Sequence, residues 1–247
     1  MKKFILLMIL LIMVLGLFAC GEKSTDDKFL KDLAIGLQDR WDLNNDDTDE
    51  ELTNELVDAE LIKISKYKDA EFEDKKLQEL AINYISMLEQ QNEALTYITS
   101  DILKFDKLWS EAYNERSKII VEINDKYDLP IDSKHEKDLS VLIDNEKGVK
   151  SAEKLEKQLN EMLNAGDFSK VENYGSYDCT LTVENTIDRD FSYFEVNINF
   201  LDADSVIIES TVDSVENWNS GTKNKFNFYV DSDFDKYEVS VGYYEEE

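Results

Sequence analysis

Two cysteines, one histidine and 55 carboxylates are the groups in this 247-residue chain that chemistry would call on first. Cys20 closes an apolar run, while Cys179 stands between Asp178 and Thr180 at the start of a strand-like stretch. Neither has a histidine beside it to take up its proton, so a nucleophilic mechanism lacks its base. Cys179 therefore reads as a small strand residue. His135 lies in the polar stretch from Asp132 to Asp138 and reads as a surface residue. A zinc site usually needs more His or Cys than the chain holds. There is no G-x-S-x-G elbow, no P-loop and no H-E-x-x-H. Carboxylate pairs abound in a chain this acidic and define no glycosidase without geometry. No catalytic residue is assigned, and the chain is expected not to be an enzyme.

Calcium is the inorganic partner that the spacing brings up. Asp231-x-Asp233-x-Asp235 and Asp42-x-Asn44-x-Asp46-x-Thr48 place oxygen ligands at alternate positions, as a loop around a hard cation does. Both depart from the EF-hand loop. The sixth position is Lys236 in one and Asp47 in the other where glycine is required, and neither run has Glu twelfth. An acidic turn and a helix connection account for them without metal. No metal site is assigned, with Asp231, Asp233 and Asp235 kept as calcium candidates.

The leader carries a more specific chemistry. Met1-Lys2-Lys3 is a short positive start, Phe4 to Phe18 is almost wholly apolar, and small Ala19 precedes Cys20. The run is shorter than the roughly 20 residues that cross a bilayer, and it stops at polar Gly21-Glu22-Lys23-Ser24. Leu17-Phe18-Ala19-Cys20 resembles the lipobox of bacterial lipoproteins. The resemblance implies cleavage between Ala19 and Cys20, diacylglyceryl and N-acyl lipid on Cys20, and anchorage at the extracytoplasmic face of the cell membrane. Each buried CH₂ contributes about 0.8 kcal/mol, so two or more chains hold where one binds reversibly. On this reading residues 1–19 are signal peptide and 20–28 a lipidated tether.

The formal charge is −28. Such a surface repels phosphate backbones and anionic headgroups, so nucleic acid is not expected as a partner. Once Cys20 is acylated, Cys179 has no partner for an internal disulfide, and the fold must rest on apolar cores.

Those cores are announced by two periods. From about Thr25 to Ala165 apolar residues recur at helical spacing. Phe29, Leu30, Leu33, Leu37 and Trp41 mark a first helix, and Leu52, Leu56, Ala59 and Ile64 a second. A seam from Leu77 to Ile123, broken by Gln91 and Arg116, predicts one very long helix or two in line, with Ser100-Asp101 as a cap for a break. Gln91 and Arg116 read as register-setting or solvent-reaching residues, with a pocket as the other use. Asp128-Leu129-Pro130 ends the seam. Shorter helices follow near Lys137 to Ile143 and Ser151 to Leu163, with Gly166 placed to end the last. Trp41 and Trp109 lie on apolar helical faces and read as packing residues. Beyond Gly166 the period becomes two, with runs at 179–183, 191–201, 206–212, 225–230 and 237–243, and a further strand near Phe168 to Tyr174. The expected fold is multidomain α plus β. An elongated antiparallel helical bundle over 29–165 precedes an antiparallel β-sandwich over 167–247.

The C-terminal half carries a second resemblance. Val183-Glu-Asn-Thr186, Phe194 to Asp202, Asn219-Ser-Gly-Thr222 and Phe226-Asn-Phe228 resemble the FxLYD domain of bacterial surface lipoproteins. Ile198-Asn199-Phe200-Leu201-Asp202 occupies the signature, with only Asp202 matching strictly. The resemblance implies an immunoglobulin-like sandwich and no reaction. Taken together, these readings lead to the expectation of a membrane-anchored, non-enzymatic binding or scaffold module at the cell envelope, meeting an envelope or surface protein. The alternative is a helical domain that binds a peptide or small molecule. A cell-wall-modifying enzyme stands third.

Overall fold

The computed structural model describes residues 23–44 and 54–247. The leader, Ala19, Cys20 and most of the Asp42 to Thr48 run lie outside these residues. Among the described residues the chain forms five α-helices and then six strands in two antiparallel sheets, so the α plus β reading holds.

The helices are α1 (Thr25–Asn44), α2 (Asn54–Ile64), α3 (Lys75–Leu95), α4 (Ile102–Tyr127) and α5 (Glu136–Asn164). Local caps fix where they begin. Ser24 Oγ accepts from the Asp27 N–H at 3.0 Å, and the Asp74 carboxylate accepts from Lys76 and Leu77 at 2.8 and 3.2 Å. Asp101 accepts from Lys104 at 3.1 Å, as its sequence position suggested.

That cap opens a reversal, which corrects the expectation of a single or in-line helix. Thr96 closes the end of α3 with its hydroxyl on Glu93 C=O at 2.7 Å, and the chain then turns back. Tyr84 pairs with Arg116 and Gln90 with the Leu108 carbonyl, so the two halves of the seam face each other as an antiparallel hairpin. A long apolar stripe must be covered, and here it covers itself. The result buries Leu77, Ala81, Tyr84 and Leu88 with Ala112, Ile119 and Ile123. On the second helix Ile64 is buried as expected, but Val57 and Glu60 are the other buried residues, with Leu56 and Ala59 half-buried; Leu52 lies outside the described residues.

Two compact units divide the chain between Val149 and Lys150, within α5. The two short helices expected there are one continuous helix of 29 residues. Leu142 belongs to the core of the first unit, and Leu155, Leu159, Met162 and Leu163 belong to the second.

In the second unit β1 (Asp167–Asn173), β2 (Ser176–Glu184) and β5 (Lys223–Val230) form one sheet in the order β1-β2-β5. The other sheet has the order β4-β3-β6, from β3 (Phe191–Leu201), β4 (Ile207–Trp218) and β6 (Lys236–Glu246). Tyr174 and Gly175, at φ 54° and 91°, make the tight β1–β2 turn, a conformation glycine adopts without strain. Cys179, Leu181 and Val183 of one sheet share a core with Phe194, Val196, Ile198 and Phe200 of the other. In Ile198 to Asp202 a bulge between Phe200 and Leu201 buries both side chains in succession. Asp202 then accepts from the N–H groups of Asp204 and Val206 at 3.0 and 2.9 Å and shapes the turn.

Gly166 ends α5 through its N–H on the Leu163 carbonyl at 3.1 Å. Its conformation is not left-handed; what it supplies is room. A Cβ there would lie 2.8 Å from Val183 Cγ2 and 2.9 Å from Leu181 Cδ1.

Candidate functional site

Four helices of the first unit each send a polar side chain to one buried point. Glu60 of α2 is wholly buried, and its Oε1 accepts from Arg40 Nη1 of α1 at 2.9 Å and from Arg116 Nη2 of α4 at 2.6 Å. Its Oε2 accepts the hydroxyl of Tyr84 from α3, and Arg116 Nε donates to that same Tyr84 oxygen at 2.9 Å. Gln91, also on α3, accepts from Arg40 Nη1 at 3.2 Å, while its buried Nε2 has no partner among the described residues. Gly36 allows the α2 backbone this close, since a Cβ there would sit 3.0 Å from Glu60 Cα.

The electrostatics follow from counting charges. Burial opposes the ionised form of Glu60, yet the Arg116 and Arg40 guanidiniums outweigh it and hold the carboxyl below the usual range. Burial, with Glu60 as hydrogen-bond acceptor, pushes the Tyr84 phenol well above its usual value. Two guanidiniums face one carboxylate, so the cluster carries a surplus positive charge. Burial and the like charge of Arg116 pull Arg40 downward, against the pull of Glu60.

Arg40 and Arg116 also reach a cleft of about 290 Å³. Its walls are Trp41, Leu56, Trp109, Tyr113, Val141 and Leu142, with Asp138 beside them. Trp109 packs against the core as its apolar face suggested and also lines the cleft, while Arg116 is buried in the ion cluster rather than reaching solvent. His135 is a further correction. It is only 2% exposed, its ring packs against Trp41 with centroids 5.4 Å apart, and Nδ1 lies 2.8 Å from Asp138 Oδ2. Its Nε2 is 3.3 Å from Asp42 Oδ1 but makes no hydrogen bond there, an arrangement of proximity without alignment. Glu60 carried no signal in the sequence, being one carboxylate among 55.

The second unit offers less. Cys179 is a free, buried strand residue, and burial pushes its thiol upward, away from reactivity. Asp233 is held by Lys170 at 2.5 Å and accepts from the Phe234 N–H at 2.9 Å. The Asp231 and Asp235 N–H groups bond to Glu209 and to the Leu201 carbonyl. Among the described residues no group of three His, Cys, Asp or Glu could hold a metal ion. Asn185, within the Val183 to Thr186 segment, is fully buried. It ties the β2–β3 connection to the end of β4 through the carbonyls of Arg189 and Trp218 and the N–H of Ile187. Its role is structural. An open hollow over Tyr193, Tyr243, Glu195, Glu216 and Glu245 is acidic and shallow.

No family model and no curated protein sequence matches the chain. Among solved structures, the chain is similar to the Pseudomonas fluorescens alkylpurine DNA glycosylase AlkC bound to DNA containing an abasic site analog. The identity is 11%, the TM-score 0.22, and the match covers 74% of this chain and 61% of that one. The expectation of a non-enzymatic scaffold module at the cell envelope is corrected at this point: no comparison supports it, and it is not carried further. At that TM-score the likeness transfers neither fold nor activity to this chain. Among the described residues no helix is long and apolar enough to cross a membrane.

Proposed function

We propose that the helical unit is a ligand-binding module that takes a small molecule or a short peptide segment in the Trp41–Trp109 cleft. The observation that carries this reading is the meeting of aromatic walls with a charged floor. Binding pockets are mostly apolar clefts, with a few convergent polar groups that orient the ligand. Arg40 and Arg116 are positioned by buried partners and need not reorganise to meet a ligand, which lowers the cost of binding. The test is thermal denaturation of the full chain against a broad small-molecule and peptide library. A ligand at 100 times its Kd stabilises the native state by about 2.7 kcal/mol, which reads as a raised midpoint. Stabilisation that Trp109→Ala removes supports the reading, and no response across the library overturns it.

The shared apolar core of the two sheets supports an immunoglobulin-like sandwich for the second unit, as the FxLYD resemblance implies. The lipobox resemblance supports acylation at Cys20.

A further inference from the structure

We propose that the cleft selects an organic carboxylate, its anionic end held by Arg40 with Arg116 behind it and its apolar body laid against Trp109. This rests on the reading of the cleft as a binding site. Arg40 spends Nη1 on both Glu60 and Gln91, and among the described residues its Nε and Nη2 have no hydrogen-bond partner. Glu60 is already used on both oxygens, by two guanidiniums and the Tyr84 hydroxyl. It has little left with which to balance a second cation.

The unused donors set the ligand's charge. A cationic ligand would meet two guanidiniums, and a ligand without an acceptor would leave the unused donors of Arg40 unmatched in a partly dry site. A phosphate dianion would bring two charges up to Asp138 on the same wall. A single carboxylate brings one charge and matches the guanidinium fork. The background reinforces this. On a chain of net charge −28 the acidic surface would not draw anions without specific donors. Burial and the repulsion of Arg116 both work against the charge on Arg40, and a second anion offsets the repulsion. The volume of about 290 Å³ stands at the small end of ligand sites and suits one residue-sized body.

Calorimetric titration of the full chain with N-acetyl-L-phenylalanine and with its carboxamide tests the charge requirement. Gly-Gly-Phe, with a free or amidated C-terminus, tests whether the carboxylate can belong to a peptide. The acid should bind at least about tenfold more tightly than its amide, the difference expected for a charged hydrogen-bonding partner. Arg40→Gln should remove that difference and leave the weak amide affinity in place. Should Arg40→Gln fail to fold, the comparison of acid with amide on the unaltered chain still decides. Equal binding of acid and amide overturns the carboxylate class while leaving the cleft reading intact. So does an unchanged preference in a folded Arg40→Gln. No heat from any of the four probes at millimolar concentration overturns the inference, and the cleft reading then falls only if the library screen is also silent. Binding of the tripeptide acid as well as the free acid identifies peptide C-termini as a source. Binding of the free acid alone confines the ligand to small molecules.

Discussion

Arg116 Nη2 meets Glu60 Oε1 at 2.6 Å, from the fourth helix to the second, across 56 positions of sequence. Neither side chain reaches water to any useful extent, at 2% and 0% exposure. Removing one charge from such a cluster leaves its partners buried and uncompensated. Glu60→Gln should therefore destabilise the helical unit by about 3–5 kcal/mol, measured by urea unfolding followed by far-UV circular dichroism. Arg40→Met leaves the Glu60–Arg116 pair balanced and should cost clearly less. Replacing Glu60, Arg40 and Arg116 together by apolar residues should come close to the native stability, because well-packed apolar groups often match a buried ionic triad.

The triad also marks the limit of what the residue pattern could convey. Helical spacing located Phe29, Leu33 and Leu37 on a buried face, and alternation located the cores of β2, β3 and β5, because burial repeats with the period of each element. Asp101 was recognisable as a cap from its local chemistry alone. The fold-back of α3 on α4 was not legible, since a seam of this kind suits one long helix or two paired ones equally well. Gln91 and Arg116 stood out only as interruptions. Their partner Glu60 sits on the same face as Val57 and Ile64, where an acid reads as a solvated position until three helices converge on it. Burial of His135 depends likewise on Trp41, which is 94 positions away in sequence and carries no local signal.

Two glycines of α5 and its end should respond to alanine in opposite directions. Gly166→Ala forces a methyl against Val183 and Leu181 at 2.8 and 2.9 Å, and overpacking of that kind costs about 1–3 kcal/mol. Gly148 is exposed in mid-helix with nothing within 4 Å of a new Cβ, so Gly148→Ala should stabilise by about 0.5–1 kcal/mol. Urea midpoints of the two variants, compared with the parent chain, check the sign of each change.

Calcium should leave the thermal midpoint of the chain unmoved. Asp233 is already neutralised by Lys170, which also donates to the Phe234 carbonyl at 2.9 Å, so a cation would have to displace a placed ammonium. A calcium titration followed by calorimetry checks this. Heat that disappears in an Asp231→Asn, Asp233→Asn, Asp235→Asn variant would restore the turn as a metal site.

Acylation at Cys20 makes a prediction about mass and partition. In a bacterial host the chain should begin at residue 20, carry acyl mass on its first residue and sediment with membranes. Cys20→Ser should lose both the added mass and the sedimentation. Intact-mass spectrometry of the two fractions reads the outcome, and an unmodified Cys20 thiol in the exported chain would refute the lipobox reading.

The same triad should write its signature on the pH dependence of stability. The Glu60 carboxyl lies below its ordinary value of 4.5 in the folded chain, because Arg116 and Arg40 outweigh the burial that opposes its charge. A depressed acid contributes stability that is fully present above the unfolded value and is lost as pH falls through the folded one. Unfolding free energies measured by urea should therefore drop as pH goes below about 4.5, and the drop should be smaller in Glu60→Gln. It should not vanish there, since Lys66 holds Asp32, Tyr127 holds Asp74 and Lys126 holds Glu122 below their ordinary values as well. The alkaline limb has the opposite origin. Burial and Glu60 raise the Tyr84 phenol well above 10.0, so its contribution is present below that pH and is lost as pH rises toward the folded value. Tyr84→Phe removes that titration and should flatten the alkaline limb only in part, because Tyr127, raised to about 12 by burial and Asp74, titrates in the same direction. An acid limb as steep in Glu60→Gln as in the parent would show that the buried carboxylate is not the ion the geometry requires.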